Sequence, residues 1–195
     1  WEDEFNQPIY GYEGETQLPR DLFQERINDL ATVARLNKRS MERATEKMNE
    51  AMTDIKFQKV AELSLTVENL ALKAGEAAGA LSEAFRYHER KNPISRQEFE
   101  RVAATAQRDG EVVKEKMHHV GGICEYVWNT WQQTGNVQAK NQLKMFLDQK
   151  TELAFETGKQ LGIFRENAQY MAEYDKLVTA AGGMRAVSQV EKAMV

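Results

Sequence analysis

Residues 27–55, INDLATVARLNKRSMERATEKMNEAMTDI, decide the fold of this chain because apolar or small side chains recur there at intervals of three and four. The positions are 27, 30, 34, 41, 44, 48, 51 and 55, and Asn37 occupies the one place where the repeat skips. This spacing places the apolar side chains on one face of an α-helix, which must pack against another helix. The segment therefore predicts a long amphipathic helix.

Similar repeats cover most of the chain between Leu22 and Val178. A second register occupies positions 60, 63, 67, 70, 74, 77, 81 and 84, and it is displaced from the first by two residues. The helix must therefore break, bend or rewind between Thr53 and Lys59, and we favour a continuous, distorted helix over a tight turn. Two more stripes run from residue 99 to 131 and from residue 137 to about 181.

Proline and glycine mark the boundaries between these segments. A hairpin turn is predicted at residues 92–95, because residues before proline avoid helical dihedral angles and because Ser95 followed by Glu98 matches a capping box. The Thr-Gly-Asn sequence at residues 134–136 predicts a second turn. Gly121 and Gly122 lie inside the third segment and leave open whether that helix is split.

Gly182 and Gly183 are expected to end the fourth helix. Residues 182–195 then form a short amphipathic C-terminal helix, with Met184 and Val187 on its apolar side. A helix of this length is marginal alone in water, so it needs a surface on which to lie. We therefore include Met184 and Val187 among the candidate partner-binding residues.

The segments together predict one all-α domain, an elongated antiparallel bundle of three or four long helices over residues 20–181. At 195 residues the chain has a natural size for one domain. No stretch approaches the ~20 apolar residues of a membrane span, so we expect none. The single cysteine, Cys124, excludes an internal disulfide framework.

Residues 1–19, WEDEFNQPIYGYEGETQLP, predict an extended arm ahead of the bundle. Its first 17 residues carry five acids and no Lys or Arg, so the rest of the chain holds 26 basic and 25 acidic residues, a net +1. Its aromatic side chains have little reason to stay in water. We expect the arm to pack along this protein or a neighbouring subunit, or else to order on a partner. Its candidate partner-binding residues are Trp1, Phe5, Tyr10 and Tyr12.

A basic stripe is predicted along the first helix, because cations recur there at i, i+4 spacing: Arg35, Arg39, Arg43 and Lys47. Such a stripe is able to track a phosphate backbone. Against this, Glu42, Glu46 and Glu50 follow three of these bases at i, i+3 and are expected to pair with them within the helix. A solvated face is therefore the favoured interpretation, and a nucleic-acid surface is the alternative.

Two further features concern packing. Gly75 and Gly79 lie one turn apart and permit the close approach of another helix, either within the bundle or at a subunit interface; Lys73 and Glu76 exclude a membrane-spanning dimer. Trp128 lies beside the apolar stripe of the third segment. It is either part of a wide buried face or an anchor for a protein partner, since desolvated aromatic side chains concentrate binding energy.

The chain carries no residue pattern that we would assign to catalysis. Glu115 and His118 form one ExxH pair, whereas a di-iron bundle needs two such pairs and two further inward carboxylates. Nucleophile elbows, Walker loops and dinucleotide fingerprints are absent. We therefore expect no catalytic residue, no metal and no cofactor.

These observations favour a non-catalytic structural or assembly protein, a subunit of a larger complex such as a virion or a secretion apparatus. Its partners are expected to be proteins, including further copies of itself, because long helical rods serve as scaffolds more often than as catalysts. The alternative hypothesis is a nucleic-acid-associated bundle that uses the stripe from Arg35 to Lys47.

Overall fold

The computed structural model describes the backbone of residues 17–194 and the side chains of residues 17–182. The described part is an all-α bundle of four helices, as the apolar repeats predicted. In chain order they are α1 (Arg20–Thr53), α2 (Phe57–His88), α3 (Arg96–Thr134) and α4 (Val137–Met194).

The connection between α1 and α2 is a tight turn, so the preferred prediction of a continuous, distorted helix was wrong. The N–H of Lys56 donates to the carbonyl of Ala51 at 2.9 Å, and the N–H of Ile55 donates to that of Met52 at 3.3 Å. These two bonds form a Schellman motif, which ends a helix with one residue in the left-handed conformation. That residue is Ile55, with φ of 54°, a conformation that costs an L-residue about 1–2 kcal/mol. Glycine is the usual residue at this left-handed position, and this turn has none.

The other two turns lie where the sequence predicted them. Ser95 caps α3, and its side chain accepts a hydrogen bond from the N–H of Glu98 at 3.2 Å. Gly135 ends α3 with φ of 65°, and its N–H donates to the carbonyl of Trp131 at 2.7 Å. Asn136 then accepts a hydrogen bond from the N–H of Gln138 at 2.8 Å, which starts α4.

Neither of the two glycine pairs interrupts its helix. α3 is continuous through Gly121 and Gly122. α4 continues through Gly182 and Gly183 to Met194, so the prediction that the fourth helix stops there and a separate short helix follows was wrong. Glycine inside a helix costs only about 1 kcal/mol relative to alanine, so a glycine pair does not by itself end a helix.

Three pairs of helices pack closely along their lengths. α1 packs on α2, α3 packs on α4, and α2 packs on α4. Because successive helices are antiparallel, α2 and α4 run parallel. The ion pairs between them follow this direction, since Glu68 pairs with Lys150 and Glu76 pairs with Arg165, farther along both helices.

The α2–α4 contact is a direct approach of two backbones. A Cβ atom placed on Gly75 would lie 2.1 Å from the carbonyl oxygen of Phe155, and one on Gly79 would lie 2.1 Å from that of Lys159. On α4, a Cβ on Gly158 or Gly162 would meet a carbonyl oxygen of α2 at 2.1 or 2.0 Å. Two glycine pairs, each with spacing i, i+4, therefore face each other. The sequence indicated the pair on α2, whereas the pair on α4 was missed.

Apolar cores fill the two ends of the bundle. At the end that holds the start of α1, an aromatic cluster of Phe23, Tyr87, Phe99 and Tyr170 joins all four helices, with ring centroids 4.9–5.8 Å apart. At the other end Trp131 packs edge-on against Phe57 at 4.5 Å. These clusters supply the large apolar burial that the glycine contact cannot provide.

No described helix has a stretch with the length and apolar character needed to cross a lipid bilayer.

The glycine contact leads to a prediction with an internal control. Gly162→Ala places a methyl group 2.0 Å from the carbonyl oxygen of Glu76, so α2 and α4 must separate, and we expect the free energy of unfolding to fall by about 1–3 kcal/mol. Gly122→Ala on α3 meets no atom within 4 Å and gains only helix propensity, up to about 1 kcal/mol. Urea unfolding measures both variants, and a Gly162→Ala protein as stable as the unsubstituted chain would contradict the packing described.

Candidate interaction surfaces

The aromatic end of the bundle holds the only described carboxylates that are almost fully buried. Glu166 on α4 is 2 % exposed, and it accepts two hydrogen bonds from Arg26 on α1, at 2.7 and 2.8 Å. A bidentate pair of this kind satisfies the buried charge, and removing one partner of such a pair typically costs about 3–5 kcal/mol. The pair therefore fixes α1 against α4, two helices whose backbones otherwise lie apart.

A second polar group lies beside it and ties α2 to α4. The hydroxyl of Tyr87 donates to Oδ1 of Asn167 at 2.5 Å and accepts from Nη2 of Arg86 at 2.7 Å. Asn167 is fully buried, and its amide donates to the carbonyl of Ile163 at 2.8 Å. Burial raises the pKa of Tyr87. Each of these side chains has a partner within the bundle, which indicates a structural role.

Glu83 is the second buried carboxylate, at 6 % exposure, and it pairs with Arg86 at 2.7 Å. Burial raises the pKa of Glu83 above its ordinary value of 4.5, and the charge of Arg86 opposes that rise. Together with Arg101, the two residues line a shallow pocket between α2, α3 and α4. The sequence analysis missed Glu83, Glu166 and Asn167, because the apolar repeat alone does not distinguish a buried carboxylate or amide from one at the edge of the apolar stripe.

The candidate metal and thiol residues are not brought together. His118, His119 and Glu115 are all exposed on α3. Within the described residues no three His, Cys, Asp or Glu side chains are grouped so that they could hold a metal ion. Cys124 is buried, and burial raises the pKa of its thiol, which keeps it protonated and less nucleophilic.

Trp128 is half-buried and engaged within the bundle. Its indole Nε1 donates to the carbonyl of Phe57 at 3.1 Å, and its ring packs on the core near the turn between α1 and α2. The bond ties α3 to the first residue of α2. Tyr126, two residues earlier, is instead 74 % exposed.

The remaining candidate residues at the two ends of the chain lie outside the described side chains. This applies to Trp1, Phe5, Tyr10 and Tyr12 in the arm and to Met184 and Val187 in the last turns of α4.

The basic stripe lies on an open face of α1, and the predicted intrahelical pairing is not observed. Arg35, Arg39, Arg43 and Lys47 are all exposed. None of the ion pairs within the described side chains involves them, although Glu42, Glu46 and Glu50 lie at the expected spacing. The four positive charges are therefore directed to solvent without a neutralising contact.

On a different face of α1 an open groove of about 400 Å³ lies between α1, α2 and α4. We call it the α1 groove. Its floor consists of Ala77, Ala80 and Gly162, and Leu30 and Val33 form the α1 wall. Its remaining lining residues are polar: Arg26, Asn37, Lys73, Glu76, Arg165, Glu166 and Gln169.

The middle of α1 has no buried residue at all. Leu30 and Ala44 are buried, but every residue from 31 to 43 is half-buried or exposed. Val33 is 45 % exposed and Leu36 is 54 % exposed. α1 thus packs firmly at both ends and presents an uncovered face between them.

No protein-family model matches this chain, and no curated protein or solved structure shows significant similarity to it.

The buried carboxyl of Glu83 predicts a pH dependence of stability. Because its pKa is raised on folding, the folded chain keeps this proton at pH values where the unfolded chain has lost it. The stability that the group contributes is present below pH 4.5 and is lost as the pH rises through the folded-state pKa. Glu83→Gln removes this loss. The free energy of unfolding of the variant, compared with that of the unsubstituted chain at the same pH, should therefore rise as the pH is raised from about 4 to about 7.

Urea unfolding at both pH values tests this, with Glu111→Gln, an exposed residue of α3, as the control. A stability difference between Glu83→Gln and the unsubstituted chain that is the same at both pH values would contradict the assignment.

Proposed function

We propose that this protein is a non-catalytic structural or assembly protein, a helical-bundle subunit of a larger complex that acts through protein–protein contacts. The observation that supports this proposal is the uncovered middle of α1, residues 31–43, of which Val33 and Asn37 line the α1 groove. The class of complex, such as a virion or a secretion apparatus, rests on analogy of shape alone.

The physical argument concerns Val33 and Leu36. Burial of an exposed Val or Leu side chain is worth about 1.5–3 kcal/mol. A partner that covers Val33 and Leu36 would therefore gain free energy of this size for each side chain. The uncovered segment has 13 residues and is therefore about 20 Å long. A surface of that length, apolar along one edge and cationic along the other, suits an extended protein segment better than a small molecule.

Self-association tests this proposal. Sedimentation equilibrium over a range of concentrations should show a mass above the 22.3 kDa of one chain, and Leu36→Asp should shift the population towards single chains because it puts a charge into the contact. Val112→Asp on α3 is the matched control, since Val112 is 49 % exposed. A single-chain mass at every concentration would contradict the proposal.

A nucleic-acid-associated function is the second candidate, and one observation favours it. The side chains of Arg35, Arg39, Arg43 and Lys47 are exposed and make no ion pair within the described part of the chain. Four cations on one helix face are able to displace counterions from phosphates, which makes binding steeply salt-dependent.

Titration of a nonspecific DNA duplex at several salt concentrations tests this candidate. Binding that weakens with salt, and that has a smaller salt slope in Arg39→Glu than in Lys114→Glu on α3, would support it. Absence of binding at low salt would remove it.

A further inference from the structure

We propose that the acidic N-terminal segment, residues 1–16, folds back on its own chain and docks on a basic site between the end of α2 and the start of α3. Two adjoining pockets form this site, and Arg101 lines both of them. We call them the Arg101 pockets. The contact is made within one chain, so it does not depend on the self-association that the proposed function requires.

The Arg101 pockets contain a cation that has no partner. Their charged residues include two carboxylates, but Glu98 is paired with Arg90 and Glu83 is paired with Arg86. Arg101 is exposed and makes no ion pair within the described side chains. A free guanidinium binds a carboxylate through two parallel hydrogen bonds, and residues 1–16 contain five acids and no Lys or Arg. The charges of the site and of the arm are therefore complementary.

The last residues before the arm lie beside this site. Leu18 is buried in the aromatic cluster together with Phe99, and Ile94 packs against the same cluster. Nη2 of Arg20 donates a hydrogen bond to the carbonyl of Arg90 at 2.9 Å, and Arg90 lines the first of the two pockets. A short tether of this kind gives an effective concentration on the order of millimolar. The arm of the same chain therefore has an advantage over the arm of a neighbour.

The positions of the acids favour the Arg101 pockets over the α1 groove. Glu15 and Glu13 are the acids nearest to Gln17, and an extended backbone places them at most about 7 and 14 Å from it. They are therefore in range of a site that begins at Arg90.

The α1 groove is farther from the start of α1. Among the described cations of its lining, Lys73 is the one without an ion pair. Lys73 follows Ala71, which packs against Met41, and Met41 lies about 30 Å along α1 from Arg20. Glu13 and Glu15 are too close to the start of α1 to contact Lys73.

The second pocket also suits an aromatic side chain of the arm. It has a volume of about 260 Å³. Its uncharged lining residues are Val102, Thr105, Ala106, Gln160 and Ile163. A tyrosine has an apolar ring and a hydroxyl that needs a hydrogen-bond partner, which matches this mixture of apolar and polar groups. Tyr10 and Tyr12 precede Glu13, so one short segment is able to place a ring in the pocket and a carboxylate on Arg101.

Site-specific photo-crosslinking of the full chain tests the proposal. Gln97, which is exposed and lines the first pocket, is replaced by p-benzoylphenylalanine, and equal amounts of ¹⁴N- and ¹⁵N-labelled protein are mixed before irradiation. We expect peptides that join position 97 to residues 1–16 and whose two halves carry the same label. The same substitution at Val112, which is 49 % exposed on α3, should not capture the arm.

Charge reversal supplies a second measurement. Arg101→Glu should lower the yield of this link by about threefold or more, because it replaces an attraction by a repulsion. The matched control is Arg108→Glu, since Arg108 is also an exposed arginine of α3 and lines neither pocket. Adding Glu13→Lys and Glu15→Lys to Arg101→Glu should restore the link, which a merely structural effect of the substitution would not do.

Three results would overturn the proposal. Links between one heavy and one light half would show that the arm docks on a neighbour. Capture of the arm by p-benzoylphenylalanine at position 33, without capture at position 97, would place it in the α1 groove. Absence of any link from position 97 to residues 1–16 would show that the Arg101 pockets do not receive it. The sedimentation measurement decides the proposed function separately in each case.

Discussion

The close parallel approach of α2 and α4 is the constraint on which the rest of this bundle depends. Gly75 and Gly79 on one helix and Gly158 and Gly162 on the other leave no side chain between the backbones, and each would place a Cβ about 2 Å from a carbonyl oxygen. In a square four-helix bundle these two helices would lie on a diagonal. Here the diagonal is short, so α1 and α3 are placed on opposite sides of a central pair.

This arrangement links the fold to the candidate surface. Gly162, one of the glycines that let α2 and α4 meet, also forms part of the floor of the α1 groove together with Ala77 and Ala80, and these small residues offer nothing large for α1 to pack against. α1 is held instead at its ends, by Phe23 in the aromatic cluster and by Met48 near Trp131. The uncovered segment between residues 31 and 43 lies between these two attachments.

The sequence predicted the helices better than it predicted their meeting points. Periodicity identified four apolar stripes, and the chemistry of Pro93, Ser95 and Gly135 placed two turns correctly. The turn at Ile55 was missed because a β-branched residue occupies the left-handed position, so no glycine or asparagine signalled it. The glycine pair that faces Gly75 and Gly79 was missed because the packing of α2 on α4 is a tertiary contact, which the apolar repeat does not specify. The ion pair between Arg26 and Glu166 was hidden for the same reason, since its members are 140 residues apart.

The hydrogen bond between Tyr87 and Asn167 joins residues 80 positions apart, and the glycine contact spans a similar interval. The α1–α2 and α3–α4 hairpins, in contrast, are made of near neighbours along the chain. Closing a long loop costs more entropy than closing a short one, and native contacts between distant residues slow folding. The two hairpins are therefore units that are able to form early, each with an unfinished face of small residues. Formation of the contact between α2 and α4 is then the last step of folding. It is also the step at which two hairpins from different chains would be able to exchange.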